Sequence, residues 1–115
     1  MRLSEKTKQK ALAHAKKEFP KESVGIVCLV KDQEKYFPCR NEAEKPEYHF
    51  SLSPFDYLKC VKKGDIKAII HSHPNSAPIP SAHDIKVCER GNTTWFIVNP
   101  VTEEWGCYKP FKCKD

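Results

Sequence analysis

His71, His73 and Asp84 are the residues whose types and spacing could do chemistry, and that chemistry is metal binding. The two histidines lie in His71-Ser72-His73-Pro74 at the end of an apolar run, and the aspartate closes Ser81-Ala82-His83-Asp84. In a strand, residues two apart point to the same face. His71 and His73 can therefore present two imidazole nitrogens to one zinc ion, at Zn–N distances of about 2 Å. Pro74, Pro78 and Pro80 make the following segment a stiff loop that returns the chain to Asp84. Asp84 then stands in the first turn of the next helix, facing the strand end. Two neutral histidines and one carboxylate leave a fourth tetrahedral position open to water, which marks catalytic rather than structural zinc sites. Each part also has a plainer explanation. A lone H-x-H can be two ordinary histidines, and S-x-x-D resembles a capping box that needs no metal. Capping and ligation are compatible, because the cap fixes the carboxylate in place. The parts in combination, in this order, are what the plainer explanations do not supply.

The elements that must position these residues follow from the pattern. A helix is predicted from Ser4 to about Glu18, with Thr7, Ala11, Ala15 and Phe19 on one side, and Pro20 stops it. Val24 to Val30 is a continuous apolar run and reads as a buried strand. Lys31 to Glu34 reads as a turn, and Lys35 to Cys39 as a second strand pairing with the first. Asn41 to Glu47 is a polar surface excursion, and His49 to Leu52 a short strand candidate. Ser53-Pro54 opens a helix that runs to about Lys63 and ends at Gly64. Ile66 to His71 is another buried strand. Ser81 starts a helix ending near Gly91, and Thr94 to Val98 and Trp105 to Lys109 are strands around a turn at Asn99-Pro100. Helix, hairpin, helix, strand, helix, hairpin predicts an α/β (α+β) mixed sheet flanked by helices.

At 115 residues the chain is expected to be one domain, residues 1–115. Hydrophobic residues are 39% and charged residues 30%, ordinary for a globular protein. No apolar stretch approaches the roughly 20 residues of a membrane span. The start Met1-Arg2-Leu3-Ser4-Glu5-Lys6 lacks a signal-peptide core, so a cytoplasmic setting is expected. The net charge of +5 comes mainly from lysines spread along the chain. That reads as a solvated surface, not a clustered nucleic-acid interface. Six cysteines (28, 39, 60, 88, 107 and 113) include no C-x-x-C pair, which argues against a thiolate zinc site. They are expected to be reduced and mostly buried. His14 is expected to be exposed on its Lys-rich helix, His83 to lie at the site rim, and Trp95 and Trp105 to fill core strands. His49, at a polar loop-to-strand entry, could line a substrate groove.

Glu22, His71-Ser72-His73-Pro74 and Ser81-Ala82-His83-Asp84 together resemble the signature of the JAMM (Mov34, or MPN-plus) metalloprotease family. The likeness runs from the first helix to the last strand. More narrowly, the chain resembles the N-terminal domain of the phage tail assembly protein K family. That likeness is carried by Glu18-Phe19-Pro20-Lys21-Glu22, Tyr36-Phe37-Pro38-Cys39-Arg40-Asn41 and His49-Phe50-Ser51-Leu52-Ser53-Pro54. Such relatives usually carry two cysteines after the glutamate, where this chain has Ser23 and Val24, a departure that should not touch the chemistry. Members often continue into a cell-wall peptidase domain; this chain ends at Asp115, so that second activity is not expected of it.

The resemblance implies a JAMM/MPN, cytidine-deaminase-like architecture and one zinc ion on His71, His73 and Asp84. It implies Glu22 as general acid/base, where the residues alone suggest only a surface carboxylate. It makes Ser81 an oxyanion donor, a role competing with its capping, and Asn41 a substrate contact in the loop before the groove. The function implied is hydrolysis of a peptide or isopeptide bond in a protein substrate, such as a ubiquitin-like or tail-tip protein, with a link to phage tail assembly. Two alternatives stand beside it. One is a catalytically silent assembly module of the same fold. The other, a zinc nucleobase deaminase, needs H-x-E with P-C-x-x-C, and neither occurs.

Overall fold

The computed structural model describes residues 1–110. Helix α1, Glu5–Glu18, starts where the Ser4 hydroxyl accepts the Thr7 N–H, and it buries Thr7, Ala11 and Ala15 at helical spacing. Small residues on that stripe let the helix lie close to the sheet. Strands β1, Val24–Val30, and β2, Gln33–Cys39, form a hairpin in which Val30 faces Gln33. The turn between them is two residues, Lys31 and Asp32, with φ of 51° and 66°. Such a left-handed pair matches the strand twist. β2 therefore begins at Gln33, ahead of the predicted Lys35.

Helix α2, Pro54–Lys63, is capped by Ser53, with proline in its first turn and Gly64 at its end. Strand β3, Asp65–Ser72, extends one residue beyond the prediction on each side. Helix α3, Ala82–Cys88, stops short of Gly91, because the N–H groups of Arg90 and Gly91 turn back to Val87 and Cys88. β4, Thr94–Val98, and β5, Trp105–Tyr108, close the chain's last hairpin. The predicted strand at His49 to Leu52 does not form. Only a single bridge joins Leu52 to Asn41, and the Ser51 N–H bonds the Asn41 side chain instead of a neighbouring strand.

The sheet order is β2-β1-β3-β4-β5. All neighbours are antiparallel except β3 and β4. It is a mixed α/β (α+β) sheet with helices against it, as expected. On one face Leu3, Ala11 and Ala15 pack on Val27, Tyr36, Ala68, Ile70, Phe96 and Val98. On the other, Cys60 of α2 packs with Val24, Ile26, Cys28 and Cys39, flanked by Phe50, Leu52 and Ile69. Ile26, Ile70 and Ile97 are fully buried, and each such side chain contributes about 1.5–3 kcal/mol. Cys28, Cys39, Cys60 and Cys88 are buried and Cys107 is exposed, while Cys113 lies outside the described residues. No described helix is long and apolar enough to cross a membrane.

His14 is half-buried rather than exposed, its Nδ1 2.7 Å from the Tyr36 hydroxyl. Tyr36 reaches it by lying over Gly25, where a Cβ would overlap the phenol ring. Gly25→Ala must therefore push the ring aside, at a cost of about 1–3 kcal/mol. Urea unfolding should show a lowered midpoint with an unchanged slope; an unchanged midpoint would mean that the ring moves freely.

Candidate metal centre

The parallel strands β3 and β4 end side by side, with Ser72 beside Val98. His73 leaves the ladder there, donating its N–H to the Val98 carbonyl at 2.9 Å. His71 is fully buried, its ring against Phe50 and Trp95 at centroid distances of 4.5 and 5.4 Å. The Nε2 atoms of His71 and His73 meet 3.2 Å apart. Asp84 brings Oδ2 to 3.0 Å from His73 Nε2 and 3.4 Å from His71 Nε2. The sequence-predicted trio is thus gathered at one buried point.

Local structure aims each member. Ser81 and Asp84 form a full capping box: Asp84 N–H donates to Ser81 Oγ at 3.0 Å, and Ser81 N–H to Asp84 Oδ2 at 2.9 Å. Capping and donation need not compete at Ser81. The cap occupies an oxygen lone pair, and the hydroxyl proton remains available to a further acceptor. His73 Nδ1 lies 2.9 Å from the Ala77 carbonyl. Donating there places the proton on Nδ1 and turns the Nε2 lone pair toward Asp84. The loop carrying Ala77 is seated by Asn99, whose Nδ2 donates to the Ser76 carbonyl at 2.9 Å. It is also seated by Gly106, whose missing side chain admits the Pro78 carbonyl.

The donor chemistry fits a metal ion. When both histidines carry their proton on Nδ1, lone pairs of two imidazoles and a carboxylate face one another around a point that a cation would fill. Bonds of 2.0–2.1 Å to a tetrahedral ion place its ligands about 3.3 Å apart, and the three separations here are 3.0 to 3.4 Å. Burial lowers the basicity of His71, against the pull of Asp84, and keeps it neutral as a ligand must be. Its Nδ1 is the one buried side-chain polar atom among the described residues without a hydrogen-bond partner; ring packing orients it instead. Burial also opposes charge on His73 and Asp84. Their mutual hydrogen bonding outweighs it, raising the histidine and holding the carboxyl well below its usual range.

Glu22 stands just before β1 and is only 6% exposed. Its carboxylate and the nitrogens of His71 and His73 lie within 4.8 Å of one another, a second trio that shares the histidine pair. Asp84 is the nearer carboxylate, so Asp84 fits a ligand and Glu22 a group beside it. Burial pushes the Glu22 carboxyl up to about 7; His73 pulls it down and Asp84 pushes it further up. Next to it, Ser23 N–H donates to Ser72 Oγ at 2.7 Å and Ser72 N–H to the Ser23 carbonyl at 3.1 Å. Ser72, the middle residue of H-x-H, thus clamps the Glu22 segment to the histidine strand. Sequence reasoning missed this role, although a hydroxyl at the end of an apolar run was its signal.

A groove of about 720 Å³ shares Phe50 and Trp95 with the packing around His71, but none of His71, His73, Asp84 and Glu22 lines it. Phe50, Leu52, Ile69, Val87 and Trp95 line it, with His49 and His83 at its edge, their rings 5.6 Å apart. Trp95 therefore fills a core strand and also walls the groove. Phe50, in a polar stretch of sequence, carried no signal. Asn41 does not line the groove; its amide nitrogen lies 3.0 Å from the Glu22 carbonyl oxygen.

The family described as prokaryotic homologs of the JAB domain matches residues 4–109. The chain is 40% identical over 97 residues to tail tip assembly protein K of Escherichia phage N15, covering 84% of this chain and 40% of that protein. It is 34% identical over 79 residues to a probable TtuB-protein conjugate cleaving protease of Thermus thermophilus, covering 64% of this chain and 53% of that one. The chain thus spans about half the length, or less, of these relatives. Its fold matches a JAB1/MPN domain protein from Archaeoglobus fulgidus with a TM-score of 0.66 at 21% identity, over 95% of this chain and 89% of that one.

The raised Glu22 carboxyl has a consequence for stability. Between about pH 4.5 and 7 the unfolded chain ionises Glu22 while the folded, metal-free chain keeps it protonated. Stability is therefore lost as pH rises through that window. Glu22→Gln removes the loss, so its stability relative to the parent should be near zero below pH 4.5. Above pH 7 it should reach at most about 3 kcal/mol. Urea unfolding of the chelator-treated proteins at pH 4.5 and 8 checks this; equal differences at both pH values would mean that the carboxyl is not desolvated.

Proposed function

Because this chain belongs to the family of prokaryotic JAB-domain homologs, we propose that it is a zinc hydrolase cleaving a peptide or isopeptide amide bond. The observation that carries this is the buried meeting of His71, His73 and Asp84 at the spacing of a tetrahedral ion, with Glu22 beside it. In this reading residues 1–115 work as one catalytic unit in the cytoplasm or on an assembling tail.

His71, His73 and Asp84 would hold one zinc ion, which when bound lowers the pKa of a water and polarises the scissile carbonyl. Glu22 takes the proton of the attacking water. A carboxyl already pushed toward neutrality by burial is matched to that task. The water oxygen bonds to the carbonyl carbon, the C–N bond breaks, and Glu22 returns its proton to the departing amine. The Ser81 hydroxyl, still free to donate while capping α3, stabilises the charge developing on the carbonyl oxygen. No covalent bond to the protein forms.

The relatives' names support a substrate class. The Thermus protein is named for cleaving TtuB–protein conjugates and the phage protein for tail tip assembly. We therefore read the substrate as a protein, with its ubiquitin-like or tail-tip segment entering the groove edged by His49. The phage relative's name also favours a second reading, a silent assembly module, which the same experiment separates.

The test uses a ubiquitin-like protein joined through its C-terminal carboxyl to a lysine side chain. The purified chain should carry one zinc and release the lysine; chelation should stop release and zinc restore it. Glu22→Gln should keep the zinc and lose about 10²–10⁴-fold in rate, whereas His73→Ala should lose the zinc. A chain without stoichiometric zinc at neutral pH would favour the silent module, and undiminished turnover by Glu22→Gln would remove Glu22 from the mechanism.

A further inference from the structure

Glu22 is held through its backbone, and one side chain does most of the holding. The Asn41 carboxamide uses all of its hydrogen-bonding positions. Nδ2 donates to the carbonyls of Glu22 and His49, each at 3.0 Å, and stands 3.5 Å from the Pro46 carbonyl. Oδ1 accepts the N–H groups of Ala43 and Ser51, each at 3.0 Å. The Glu22 N–H in turn donates to the Pro46 carbonyl at 2.7 Å. Asn41 thus closes the segment between Glu42 and Leu52 on itself and fastens it to the peptide group of Glu22.

That fastening is needed because the site disfavours the side chain it contains. A carboxylate in a nearly dry position near Asp84 gains free energy by swinging out to water. On the sheet side, Ser72 fixes the adjoining Ser23 peptide. On the loop side, the fixing falls to Asn41 and to the Pro46 carbonyl within the loop that Asn41 closes. The same loop supplies Ala43, Lys45, His49, Phe50 and Ser51 to the wall of the groove.

We propose that Asn41 is the positioning residue for Glu22, coupling the groove wall to the carboxylate that moves the proton; this rests on the hydrolytic reading above. Asn41 touches neither the ligand nitrogens nor the reacting atoms. Its loss leaves the three metal ligands as they are and lets Glu22 wander. A misplacement of about 1 Å costs on the order of 10²-fold in rate, and that cost falls on kcat, not KM.

Two variants of the full, zinc-loaded chain test this. Asn41→Ala removes every bond. Asn41→Asp keeps the acceptor for the Ala43 and Ser51 N–H groups but sets a carboxylate oxygen against the Glu22, Pro46 and His49 carbonyls in place of the donor, so the Ala43 and Ser51 amides should stay protected while Glu22 is released. Both should retain one zinc per chain. In both, amide exchange at Glu22 should accelerate about 10-fold or more while amides of β1 and β3 stay protected. On the lysine conjugate, kcat should fall about 10–100-fold with KM little changed. In a Glu22→Gln background, neither should cause a further loss. Parent-level exchange at Glu22 or parent-level kcat in Asn41→Asp would overturn the proposal, as would losses that multiply with Glu22→Gln. If the parent binds zinc and cleaves no conjugate, the hydrolytic reading fails, and the exchange measurement alone decides whether Asn41 holds Glu22.

Discussion

Three side-chain donors, two at the end of β3 and one from the first turn of α3, are pressed together in a nearly dry pocket, and the surrounding structure is organised around their meeting. His71 Nε2, His73 Nε2 and Asp84 Oδ2 lie 3.0 to 3.4 Å from one another. Such an arrangement needs a proton or a cation among them. A proton on His73 supplies it in the metal-free chain, consistent with the raised basicity of that ring; an ion coordinated by all three would supply it better. A fourth group, Glu22, is brought close enough to feel Asp84 and is pushed toward neutrality. One end of the sheet thus gathers three candidate metal donors beside a carboxyl that burial pushes toward neutrality.

The fold meets this constraint with ordinary devices. Strand parity puts two imidazoles on one face, and the parallel β3–β4 pair ends both strands at the same level. A capping box locks Asp84 by bonds that also start α3. The proline-rich loop sets the tautomer of His73 through the Ala77 carbonyl. Ring packing by Phe50 and Trp95 holds His71 in place of a second hydrogen bond. Each device removes a freedom of one of the three donor side chains, which is what preorganisation of a metal site requires.

Legibility in the sequence followed the range of the interactions. The H-x-H pair and S-x-x-D are local patterns, and their geometry follows from strand and helix periodicity, so residues 71 to 84 could be read directly. The apolar runs of β1, β3 and β4 were equally plain. Glu22 was different: nothing within its own segment distinguishes it from a surface carboxylate, and its backbone is held by Pro46 and Asn41, and the adjoining Ser23 by Ser72, from distant parts of the chain. Only the family resemblance pointed to it. The segment from His49 to Leu52 failed as a strand for a related reason, since its backbone partner is the Asn41 side chain. His14 misled because a Lys-rich helix suggests solvent, and the Tyr36 hydroxyl that receives it comes from β2.

The account turns on which atoms surround the ion, and X-ray absorption at the zinc edge reads them directly. The full chain loaded with one equivalent of zinc should show only nitrogen and oxygen neighbours at about 2.0–2.1 Å, with the outer-shell scattering of two imidazole rings. Sulfur scattering at about 2.3 Å would mean that the cysteines hold the metal, and fewer than two imidazoles would mean that His71 and His73 are not joint ligands; either result would contradict the account.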